Sequence, residues 1–61
     1  MPIVTVKLLE GRTDEQKKAL VEKVTEAIVE TVNAKPEAVT IVLEEMSKNH
    51  YATGGVRAID K

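Results

Sequence analysis

This 61-residue chain reads as a small α/β (α+β) protomer: a βαβ unit with parallel strands, then a short C-terminal hairpin, built to work as an oligomer. Two tracts rich in β-branched residues, Ile3 to Leu9 and Ala38 to Met46, flank a long stretch with apolar residues at helical spacing. A strand–helix–strand order makes the two strands parallel, with a right-handed crossover. The chain is also too short to bury a large core and has no cysteine for a disulfide, which leaves association between copies as the route to stability. All 61 residues fall into one expected domain.

The first strand, Ile3 to Leu9, carries apolar side chains on both faces. Val4, Val6 and Leu8 make one face; Ile3 and Leu9 share the other with Thr5 and Lys7. Such a strand tends to be covered on both sides. Gly11 breaks it, and Thr13 is a good helix N-cap. Gln16 stands three residues later, as a capping box requires, and Asp14 and Glu15 suit the positive end of the helix dipole. Leu20, Val24, Ala27, Ile28 and Thr31 recur at helical spacing, with Val21 and Val32 widening the stripe, so the helix is expected to reach about Val32. Lys17, Lys18, Glu22, Lys23, Glu26 and Glu30 read as its solvated side. Asn33 and Pro36 end it.

The second strand is expected over Ala38 to Met46, with Val39, Ile41 and Leu43 alternating against Thr40 and Val42. Ser47 to Gly55 is rich in turn residues. Tyr51-Ala52-Thr53 suits a brief third strand, and Gly54-Gly55 permits a tight reversal. Val56 to Lys61 carries no pattern. One helix covers only one face of a two-stranded sheet, and the sequence leaves the other face apolar and both edges open. A second copy against that face is the expected remedy.

Composition narrows the function classes. Net charge is −1, from nine basic and ten acidic residues, with no footprint for nucleic acid or anionic lipid. One aromatic residue, Tyr51, gives no stacking platform for single strands. No stretch suits a signal peptide or a membrane span, and a cytoplasmic location without membrane partners is expected. His50 alone cannot build a zinc site and reads as a loop or interface residue; no metal or other cofactor is expected. Glu10 and Glu44-Glu45 read as solvated strand ends, and Gly54-Gly55 as a turn rather than a phosphate cradle, since no helix follows.

Two residues stand out for chemistry. Removal of Met1 would leave Pro2 with a free secondary amine, able to act as a base if its surroundings keep it neutral. Arg12 lies just before a helix start, where a positive charge gains nothing from the dipole, and this favours a functional role. Pro2 and Arg12 flank opposite ends of the first strand, roughly 30 Å apart at ~3.3 Å per residue. A site using both must therefore draw Arg12 from a neighbouring subunit.

Pro2-Ile3, Leu9-Glu10-Gly11-Arg12-Thr13-Asp14-Glu15-Gln16-Lys17, and Glu45-Met46-Ser47-Lys48-Asn49-His50-Tyr51 followed by Gly54-Gly55 together resemble the 4-oxalocrotonate tautomerase (2-hydroxymuconate tautomerase) family. The resemblance spans Pro2 to Gly55. It implies a βαβ protomer in a homohexamer, a trimer of dimers, and an isomerase with a setting in aromatic catabolism. It also implies that Met1 is removed and that Pro2 is the catalytic base. The implied substrate is a small unsaturated 2-oxo or 2-hydroxy acid such as 2-hydroxymuconate. Pro2 takes a proton from the enol hydroxyl or an adjacent carbon and returns it at another carbon. The amine starts near ~8 or somewhat above, and burial or a nearby guanidinium would lower it.

By the same resemblance, Arg12 binds a substrate carboxylate, and Leu9 and Tyr51 belong to the substrate-binding wall; Tyr51 stands where the family commonly has phenylalanine. The pattern departs at Thr40, where the dicarboxylate tautomerases place a second arginine. A neutral hydroxyl is a weaker electrophile, so 2-hydroxydienoates or phenylenolpyruvate-like compounds compete with muconate as expected substrates. No nearby residue clearly substitutes; Arg57, beyond the matched segment, is a candidate replacement. Two alternatives stay open: a hydratase or dehalogenase of the same superfamily, for which no extra carboxylate is evident near Thr53, and a non-catalytic oligomeric module.

Overall fold

Two strands and one helix carry most of the hydrogen bonding in the computed structural model, which describes residues 1–61. β1 (Ile3–Leu9) and β2 (Thr40–Met46) pair in parallel, with Ile3 opposite Thr40 and Leu9 opposite Met46. Between them runs α1 (Asp14–Val32), 19 residues long. β3 (Ala52–Thr53) and β4 (Val56–Arg57) form a small antiparallel hairpin turned by Gly54 and Gly55, both at positive φ. The expected architecture is therefore the observed one.

The helix begins where its cap requires. The Thr13 hydroxyl accepts from the Gln16 N–H at 3.1 Å, and Gln16 Oε1 accepts from the Thr13 N–H at 2.9 Å. Two donors with no partner inside the helix are thus satisfied reciprocally. Asn33 ends it at φ 56°, a left-handed conformation that asparagine tolerates better than most residues.

Two expectations at segment ends need correction. β2 starts at Thr40 rather than Ala38, because Pro36–Ala38 winds into a 3₁₀ turn. Pro36 presets the φ that such a turn needs, and the Ala38 and Val39 N–H groups donate back to Lys35 and Pro36. The tail is also ordered where no pattern was read. Val56–Arg57 pairs with β3, and Ala58–Asp60 forms a 3₁₀ turn closed by the Arg57 guanidinium on Asp60, at 2.8 and 3.2 Å.

The helix lies on the face of Val4, Val6, Leu8, Ile41 and Leu43, which are half-buried beneath Leu20, Val21, Val24 and Ile28. The opposite face holds Ile3, Thr5, Lys7 and Leu9 beside Thr40, Val42, Glu44 and Met46. It is mixed, not uniformly apolar as expected. The cross-strand register sets Lys7 against Glu44 in its middle, while Ile3 and Val42 remain 63% and 45% exposed.

No residue of the isolated protomer is fully buried. Its radius of gyration is 14.5 Å, against about 10.5 Å for a compact chain of this length. Its surface is 4799 Å², roughly 900 Å² more than a globular monomer of this mass exposes. The molecule is a slab of 43 × 23 × 13 Å, one helix on one sheet, with no second layer to close the core. No helix is long and apolar enough to cross a membrane.

Candidate functional site

Parallel strands put both of their C-terminal ends at one end of the slab. That end receives the β1–α1 loop, with Gly11 and Arg12, and the segment after β2, which leads to Tyr51. Gly11 takes φ +117°, which side-chain-bearing residues rarely adopt, and so turns the chain from strand to helix. Arg12 follows, one residue before the cap.

A hollow of about 270 Å³ opens here, lined by Leu8, Arg12, Gln16, Lys17 and Leu20. Its charges are not equivalent. Lys17 Nζ lies 2.7 Å from Glu45 Oε2 and is largely neutralised. The guanidinium of Arg12 has no carboxylate partner in the chain, whereas that of Arg57 is held by Asp60. One free guanidinium beside two leucines and the positive end of α1 suits a carboxylate attached to an apolar body.

The sequence places Lys17 on the solvated helix face. The structure leaves its side chain 28% exposed, against the end of β2. A signal was present, since Lys17 continues the stripe of Leu20, Val24 and Ile28 at helical spacing. Glu10, by sequence a solvated strand end, has a carboxylate that accepts from the Lys48 N–H at 3.1 Å. Nothing in the sequence pointed to that contact.

Pro2 and Thr40 occupy the other end. The Thr40 N–H donates to the Pro2 carbonyl at 3.0 Å and starts the β1–β2 ladder. Pro2 is half-buried, and Met1 is 89% exposed. The seven residues of β1 separate the two ends by roughly 20 Å before the flanks are added. The five residues singled out in the sequence therefore divide. Pro2 and Thr40 come together at one end; Leu9, Arg12 and Tyr51 lie toward the other. Leu9 lies on the face away from the hollow, to which β1 contributes Leu8 instead.

Residues 2–61 match the family of tautomerase enzymes. The chain belongs to the tautomerase family. It is 62% identical, over 60 residues, to the 2-hydroxymuconate tautomerase of Bacillus subtilis, covering 98% of this chain and 97% of that protein. The fold superposes on the crystal structure of YwhB, a homologue of 4-oxalocrotonate tautomerase, with a TM-score of 0.94 and 60% identity, covering 98% of each chain. It also matches a heterohexameric 4-oxalocrotonate tautomerase of Chloroflexus aurantiacus, with a TM-score of 0.93 and 25% identity, over 98% of this chain and 97% of that one. Membership in the tautomerase family supports an isomerase activity, and one of its structural neighbours is a heterohexamer. The tautomerase fold of those neighbours is the βαβ unit with parallel strands and short hairpin described above.

Proposed function

We propose that this tautomerase interconverts the enol and keto forms of a small 2-hydroxydienoate or 2-oxo acid, with 2-hydroxymuconate as one candidate substrate. Pro2, exposed by removal of Met1, serves as the general base, and Arg12 of another protomer holds a substrate carboxylate in a homohexamer. The observation that carries this reading is the division of the site. Pro2 lies at one end of a seven-residue strand and the unpartnered Arg12 at the other, so a site that uses both groups draws them from two protomers.

The chemistry follows from those two groups. A neutral secondary amine takes the enol proton and returns it to carbon, so one small base serves both steps. The guanidinium fixes the acid end of the substrate, which sets the distance from the base to the carbon that receives the proton. Leu8 and Leu20 offer an apolar wall to the substrate's carbon chain, and Tyr51 and Leu9 are proposed to extend such a wall from neighbouring protomers. Thr40 presents only a hydroxyl beside Pro2, which favours substrates that need no second cation there. Exposure of Met1 suits its removal. The shape of the protomer, with no closed core, supports the oligomer.

The test pairs intact-mass measurement with an enol-ketonisation assay. The expected active species lacks Met1, and Pro2→Ala is expected to slow turnover at least a hundredfold, within the ~10²–10⁴ that a positioned base supplies. Undiminished turnover by Pro2→Ala, or full activity in protein that retains Met1, would overturn the reading.

A further inference from the structure

The loop that bears Arg12 is anchored at its helical end by the Thr13–Gln16 capping box and at its strand end by the Glu10 N–H on the Met46 carbonyl, 2.8 Å. Between these anchors Gly11 meets nothing: a Cβ placed there would find no atom within 4 Å. Nothing packs over this point of the loop. One further tie reaches it. Glu10 Oε2 accepts from the Lys48 N–H at 3.1 Å. Lys48 opens the 3₁₀ turn Lys48–His50, whose first N–H groups have no partner within the turn, and Tyr51 follows directly. Two side-chain contacts join distant segments, this one and the Lys17–Glu45 ion pair, and only this one reaches the loop itself.

We infer that Glu10 is a positioning residue: its carboxylate clamps the Arg12 loop to the segment leading to Tyr51 and so sets the orientation of the guanidinium toward substrate. This rests on the carboxylate-binding role proposed for Arg12. Glu10 touches no substrate in this arrangement. Its effect passes through the backbone of Gly11 and Arg12, so it appears in substrate binding more than in the proton-transfer step. The sign separates it from a direct electrostatic role. A bare negative charge near the site would repel an acidic substrate, and removing it would lower KM; loss of a clamp raises KM.

The experiment uses the full-length, trimmed oligomer and an enol substrate with one carboxylate, phenylenolpyruvate. Glu10→Ala is expected to raise KM about fivefold while kcat stays within about twofold, the effect of losing one charge-assisted hydrogen bond at a solvent-exposed site. Glu10→Gln keeps an acceptor oxygen and should recover most of the wild-type KM. Lys48→Pro removes the donor instead. Ser47 is already extended at φ −70°, ψ 152°, and proline suits the first position of a turn, so this variant leaves the local fold intact. It should reproduce the Glu10→Ala phenotype, and the double variant should be no worse than either alone. If Glu10→Ala assembles poorly, Lys48→Pro carries the test by itself. Unchanged or lowered KM in Glu10→Ala and Lys48→Pro, alongside a raised KM in Arg12→Ala, would overturn the clamp alone. Unchanged KM in Arg12→Ala would instead overturn the role of Arg12 on which the clamp depends.

Discussion

Replacing Arg12 with alanine removes the one guanidinium in the hollow that has no partner within the chain. No internal ion pair is lost, and the removed charge sat beside the positive end of α1, so folding stability should change by less than ~0.5 kcal/mol. Substrate binding should change far more. A forked guanidinium on a carboxylate contributes about 1.5–3 kcal/mol where water is excluded, and less where the site is open. This hollow opens to solvent in the protomer, so we take a value just below that range, about 1.4 kcal/mol, which is a tenfold rise in KM. Arg12→Lys keeps the charge but not the fork and should fall between the two. The assay is initial-rate ketonisation of an enol acid, followed by absorbance, across substrate concentrations that bracket KM. Thermal unfolding is measured in parallel. An unchanged KM in Arg12→Ala with an unaltered melting curve would refute carboxylate binding by this residue. A large fall in melting temperature would refute the claim that Arg12 makes no structural contribution.

Two further outcomes follow from the geometry. Thr13→Ala removes the acceptor for the Gln16 N–H and should cost about 1 kcal/mol, lowering the melting temperature by roughly 4–8 °C at fixed protein concentration. A loss much below 0.3 kcal/mol by chemical denaturation would mean that the capping box is not formed in solution. Thr40→Arg places a cation beside the start of β1 and should improve kcat/KM for a dicarboxylated enol over a monocarboxylated one by roughly tenfold. Equal change for both substrates would remove Thr40 from the determinants of specificity.

Most of the fold was legible because its signals are local. The Thr13–Gln16 box and the Leu20–Ile28 stripe place α1 within a residue at each end, and β-branched residues mark both long strands. The start of β2 differs because Val39 continues the alternation of Ile41 and Leu43, while Pro36 dictates a turn that runs through Ala38. The hairpin is expected, but Val56–Arg57 is not marked as its second strand, because two residues are too few to show a period of two. The opposite face of the sheet read as apolar from Ile3 and Leu9. Thr5 and Lys7 interrupt it in the sequence, and the register adds Thr40 beside Ile3 and Glu44 beside Lys7.

For the site, residue chemistry singled out Pro2 and Arg12, and strand length alone separated them. The contacts that organise the Arg12 end are another matter. Lys17 with Glu45 and Glu10 with Lys48 join residues far apart in sequence, so they follow from how β1, α1 and β2 are brought together and from no local pattern. The hollow likewise takes Leu8 rather than Leu9, because strand alternation sends these neighbours to opposite faces.

The central claim is that Pro2 and Arg12 of one working site belong to different protomers, and subunit mixing tests it most directly. Pro2→Ala and Arg12→Ala are each purified, combined in equal amounts, unfolded and reassembled, then assayed at a substrate concentration well below KM. With random assembly, each site draws its proline and its arginine independently, so about one quarter of the sites recover both groups. The predicted result is a return of kcat/KM to about a quarter of the wild-type value. If both groups came from the same protomer, no mixed assembly would contain an intact site, and activity no higher than the average of the two variants would contradict the account.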